Sequence, residues 1–215
     1  MTLSFARLCS WMLRVRGPLV LTGCALVAAC ASTAPDRFHS LSASELPAPA
    51  AAANGGERIV VDVAPVGVPP LVDAPEWVLR GPDDSLVVLE HERWAAPLRD
   101  ELRSAVTERL VARWNVSDAH LLPLPAAAVW RVRVDLQRFE TVPGREVRID
   151  GVWSLLRPQP ANSAMVCRIT LAESVAETGI HALAAAHRRN VARLADQIGQ
   201  ALQTSQRGQT AACPG

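Results

Sequence analysis

Lysine and tyrosine are absent from this sequence, so all 22 basic residues are arginines. We read that as compositional bias and not as a functional signal. No polybasic run occurs. Setting aside residues 1–29 removes Arg7, Arg14 and Arg16 from the 22, which leaves 19 arginines against 21 acidic residues, a formal charge of −2. Such near-neutrality leaves no electrostatic footprint for nucleic acid and none for anionic lipid headgroups. Past the N-terminal segment no hydrophobic run approaches 18 residues, so no further membrane-spanning helix is expected.

Catalytic motifs are missing as well. There is no G-x-S-x-G, no glycine-rich phosphate loop and no C-x-x-C. The word "HERWA" (His91–Ala95) begins like the zinc-protease H-E-x-x-H, but Ala95 stands where the second ligand would have to be. His39, His91, His120, His181 and His187 show no metal spacing, and each reads as an ordinary surface or partly buried imidazole. Strand alternation puts Asp135 on a solvated face. The expectation is a protein without enzymatic activity, cofactor or metal.

What is present begins with the first thirty residues. Arg7, Arg14 and Arg16 give a basic start, an apolar core runs from Leu19 to Val27, and no acid occurs before Asp36. This is a secretory signal, too short to span a bilayer permanently. Two frames fit a lipobox, "LTGC" ending at Cys24 and "VAAC" ending at Cys30. Cutting before Cys24 leaves only the seven residues Gly17–Gly23 as the apolar core, at the bottom of the usual range of roughly 7–15 residues. Cys30 is therefore the expected acylated residue, with 1–29 as signal. Ordinary cleavage after "VAA" is the competing reading. Several acyl chains anchor stably where one would not. Ala31, not Asp, follows Cys30, which by analogy directs the protein to the periplasmic face of the outer membrane.

Once Cys9 and Cys24 leave with the signal and Cys30 is acylated, Cys167 and Cys213 remain. An oxidising compartment suggests one disulfide between them, closing a loop of about 47 residues.

Residues 30–56 read as the acylated cysteine and a tether rich in Ala, Pro and Ser, interrupted by a short strand candidate at 37–41. An α/β domain is expected over 57–205, and a tail over 206–215. "RIVVDVAPV" (Arg58–Val66) reads as a buried strand. "EWVLR" and "SLVVLEHE" flank the turn "GPDD" (Gly81–Asp84) as a hairpin. Pro97 is placed at the first helical position, ahead of Leu98, Leu102, Ala105, Val106, Leu110 and Trp114 at helical spacing. Strict alternation from Val129 to Val142 opens a three-stranded meander through "REVRIDGVWSLLR" and "MVCRITLAE". Ile180, Leu183, His187, Val191, Leu194, Ile198 and Leu202 form the stripe of a second helix. The predicted fold is α/β, a mixed and largely antiparallel sheet with two amphipathic helices packed on it. Trp94 is either a packing staple at the helix entry or an exposed partner anchor, and Trp77 raises the same alternative.

In its order of parts the chain resembles the PqiC/YmbA family of auxiliary lipoproteins. The resemblance rests on the lipobox with "CASTAPDRFHSL", the run "IVVDVAPVGVPPLVD", the hairpin, the meander and "ALAAAHRRNVARLADQIGQAL". Its most specific words are Trp94-Ala95-x-Pro97-Leu98 and Gly151-Val152-Trp153. The resemblance implies an outer-membrane lipoprotein serving an ABC-type system linked to MCE-domain proteins, the hydrophobic lipid conduits of the periplasm. It further implies an MCE-domain partner and self-association as a ring. Two alternatives stand beside it: a regulator of another envelope machine such as a cell-wall synthase, and a lipid carrier with a pocket between sheet and helix.

Overall fold

The computed structural model describes residues 34–42, 58–123, 128–156 and 164–213. Cys24, Cys30 and the signal segment lie outside the described residues. The chain divides into Met1–Pro35 and a second unit, Asp36–Gly215, to which every element below belongs.

Among the described residues, eight strands and two α-helices make the α/β fold. β1 is Arg37–His39, β2 Ile59–Val63, β3 Glu76–Arg80, β4 Leu86–Trp94, β5 Val116–Asp118, β6 Trp130–Val142, β7 Glu146–Leu156 and β8 Ala164–Ser174. Helices α1 and α2 cover Leu98–Arg113 and Ile180–Gln206. The strands divide into two sheets, one in the order β1-β4-β3 and one in the order β5-β2-β6-β7-β8. The second carries the antiparallel meander β6-β7-β8, while β2 lies parallel to both β5 and β6.

Alternation along β6 buries Trp130, Val132, Val134 and Leu136 and exposes Arg131, Arg133 and Asp135. The phase then breaks. Leu136 pairs with Gly151 but Arg138 pairs with Asp150, so Gln137 is an extra residue. Arg138, expected on the buried side, is exposed, and Phe139 and Thr141 turn inward instead. Gly151 makes the bulge sterically feasible, because a Cβ there would lie 2.4 Å from the Asp135 carbonyl oxygen. Backbone cannot yield as a flexible side chain can. Gly151→Ala is expected to cost about 2–3 kcal/mol, as overpacking does, read as a lowered urea midpoint with an unchanged slope.

Pro97 caps α1 from one position earlier than expected. Its carbonyl accepts from the amides of Asp100 (2.8 Å) and Glu101 (3.1 Å). Helix α2 packs against β7 and β8 and beside α1. Its inner stripe of Leu183, His187, Val191, Leu194, Ile198 and Leu202 is fully buried. Where the helices meet, Gly199 leaves room for the Trp114 indole. The indole Nε1 donates to Asp196 (2.9 Å), which also takes a two-pronged bond from Arg109 (3.0 and 2.8 Å). Gathering these donors on one carboxylate fixes the α1–α2 crossing.

Candidate interaction surface

The β3–β4 hairpin turns through Gly81–Ser85. Asp83 Oδ1 accepts from the Ser85 amide (3.2 Å) and hydroxyl (2.6 Å), and Asp84 takes a positive φ of 62°. Arg80 fastens the hairpin to β6, its Nε and terminal nitrogen donating to Glu140 Oε1 at 3.1 and 2.6 Å. Beyond this clasp Leu86, Val87 and Val88 are 44%, 45% and 55% exposed in succession. Consecutive strand residues point to opposite faces, so both faces of this strand end are apolar and wet. A groove of about 250 Å³ runs beside it, lined by Leu71, Val78, Leu79, Leu86, Arg80 and Phe139 among others. Three adjacent exposed aliphatics next to a groove mark an interaction surface more strongly than scattered ones do. The sequence carried the signal, since "LVV" departs from alternation, but such a run reads equally well as a buried strand.

Trp94 and Trp77 are not surface anchors. They are 4% and 1% exposed, stacked on each other at 4.3 Å with 25° between their planes. Edge contacts to Phe139 and His39 enclose them. The aromatic at the helix entry is core, and the partner-contact expectation for both residues is corrected accordingly.

His187 is the other revision. It is fully buried, stacked on Phe139 at 4.1 Å, with Nε2 2.8 Å from the Thr141 hydroxyl. Burial alone pushes its pKa down from 6.5 to about 3. The imidazole is therefore held neutral, as a packing and hydrogen-bonding group. Its place on the α2 stripe, between Leu183 and Val191, was the available signal.

The remaining residues fall as follows. His91 lies on a strand, with Nδ1 3.0 Å from Asp36 Oδ1. Among the described residues no three His, Cys, Asp or Glu side chains are grouped to hold a metal, and no helix is long and apolar enough to cross a membrane. Cys167 and Cys213 are bonded, with sulfurs 2.14 Å apart and a Cα–Cα distance of 5.4 Å. Among the described residues, Leu98, Leu102, Leu183, Leu194 and Ile198 form one packed core with Ile149, Trp153 and Leu155 between helices and meander.

Residues 39–199 match the model of the ABC-type transport auxiliary lipoprotein component family. The chain belongs to this family. A crystal structure of an uncharacterised protein superposes with a TM-score of 0.61 at 17% identity, covering 79% of this chain and 99% of the other. A Xanthomonas campestris protein of the DUF330 family gives 0.56 at 16% identity, with 80% and 98% covered. At these identities the likeness shows the fold alone. No curated protein matches the chain. As an auxiliary lipoprotein, it carries both its apolar strand end and its groove in the matched region.

Proposed function

We propose that this auxiliary lipoprotein is a non-enzymatic docking subunit, fixed by acylated Cys30 to the periplasmic face of the outer membrane. There it holds the distal end of an MCE-type lipid conduit. Lipid crossing water exposes its chains at about 0.8 kcal/mol per CH₂, so a conduit that meets the membrane without a wet gap is strongly favoured. The observation that carries the reading is the exposed Leu86–Val87–Val88 strand end beside its groove, in a member of a family that serves ABC-type transport. The partner it offers to hold is the MCE-domain protein, and a ring of copies would match a conduit with rotational symmetry.

The test is affinity capture of the full-length acylated protein with an MCE-domain protein of the same organism. Wild type should recover that protein. Val88→Glu should lower recovery at least about tenfold, equivalent to about 1.4 kcal/mol. Cys30→Ala should move the chain from the membrane pellet to the soluble fraction and leave the binding face intact. Repeated failure of wild type to recover the MCE protein would reject the docking role.

A further inference from the structure

The anchor expected at Cys30 and the folded domain are separated by very little chain. Strand β1 is already paired at Arg37, which stands opposite Glu92, with Phe38 opposite Arg93 and His39 opposite Trp94. Side chains lock the same segment. His39 Nε2 lies 2.6 Å from Glu92 Oε2, and Leu41 is buried with its amide donating to Glu101 Oε2 at 2.7 Å. Glu101, itself buried in α1, also accepts from the Ser40 hydroxyl at 2.8 Å. The long Ala- and Pro-rich stretch up to Gly56 comes after this lock and adds no slack between Cys30 and the domain.

Chain length then sets a bound. Phe38 is the eighth residue after Cys30, a stretch that spans at most about 29 Å when fully extended. A unit of this size is about 40 Å across. The domain cannot turn β1 to its far side, so β1 stays within about 29 Å of the bilayer. On that strand Phe38 is 64% exposed. The charges around it are matched: Arg37 with Glu92, and Asp36 with His91 and Arg93. The phenyl ring is thus the first large apolar side chain after the anchor, set in a rim of paired charges.

We infer that Phe38 is a membrane-contact residue, inserting at the headgroup boundary of the leaflet that holds the acyl chains, and that it fixes how the domain stands on the membrane. This rests on acylation at Cys30. Because the anchor has already removed the freedom of diffusion, insertion is an intramolecular event at high effective concentration, and one aromatic ring suffices to bias orientation. The ring would sit at the depth of roughly 5–10 Å where amphipathic segments lie. The contact also separates two functions along β4. Phe38 lies beside Arg93 near one end of that strand, while Val87 lies six residues away, or about 20 Å along the strand, at the hairpin end.

The experiment uses the full acylated chain carrying Phe38→Trp in phospholipid vesicles, with and without brominated acyl chains, compared with wild type. Vesicle flotation is measured on the same samples. The expected result is that the added emission shifts to the blue on membrane binding and is mostly lost with brominated lipid. Wild-type emission, from buried indoles such as Trp77 and Trp153, should change little. Protein that floats with vesicles but whose added emission is not quenched overturns the contact and leaves the anchor standing. A blue shift that grows with protein density without quenching also overturns it, because a second copy would then cover Phe38. Protein that fails to float overturns the acylation reading, and the contact with it.

Discussion

Acidification from pH 7 to pH 4.5 is expected to cost the fold about 3 kcal/mol through His187 alone. Its imidazole is fully buried among Phe139, Trp77 and Trp94, and burial holds its pKa near 3 where the unfolded chain has about 6.5. Above pH 6.5 the group is neutral in both states and adds no pH dependence. Between pH 6.5 and about 3 the unfolded chain takes up a proton that the folded chain refuses. Stability therefore falls by about 1.4 kcal/mol per pH unit over that window, and the loss levels off below it. Urea unfolding of wild type and His187→Gln at both pH values isolates the effect. The glutamine variant will be weaker at neutral pH, because it gives up the Phe139 stack. Its loss on acidification should nevertheless be smaller than that of wild type by about 2–3 kcal/mol. An equal acid loss in the two proteins would assign the dependence to other groups.

The same residue shows where reading a sequence stops. Period 3.6 placed His187 on the inner stripe of α2, yet residue type argued for a surface or partly buried ring. Position won, because every neighbour on that stripe is core. The meander was legible because alternation is a local signal, repeated over long strands. The bulge at Gln137 was not, since it depends on how close the Asp135 carbonyl comes to Gly151 on the next strand. Nor was the division into two sheets. β1 pairs with β4 across 55 residues, and β5 is three residues long with no period of its own. The candidate surface was the least legible part. Trp77 and Trp94 read equally as packing staples or as anchors and are core, while Leu86–Val88, legible only as one arm of a hairpin, is exposed. Apolar residue type records only a preference to leave water; which partner satisfies that preference is decided by tertiary structure.

Removing the Cys167–Cys213 bond is expected to have an effect of similar size. The bond joins positions 46 apart in sequence, and loop-closure entropy for such a span corresponds to about 4 kcal/mol as an upper figure. Its two ends sit in different surroundings. Cys167 is buried on β8 opposite Trp153, while Cys213 is exposed at the end of the segment that follows α2. That segment runs beside Trp130, Leu155 and Met165, with an open groove of about 380 Å³ between them. Cys213→Ser opens the loop without disturbing the core, so it should lose about 2–4 kcal/mol by urea unfolding. Cys167→Ala should lose more, because it also leaves a hole against Trp153. Reductant supplies the control: it should bring wild type down to the level of Cys213→Ser and leave that variant unmoved. A wild-type midpoint indifferent to reductant would deny the bond any role in stability. It would also remove one physical reason for assigning the chain to an oxidising compartment.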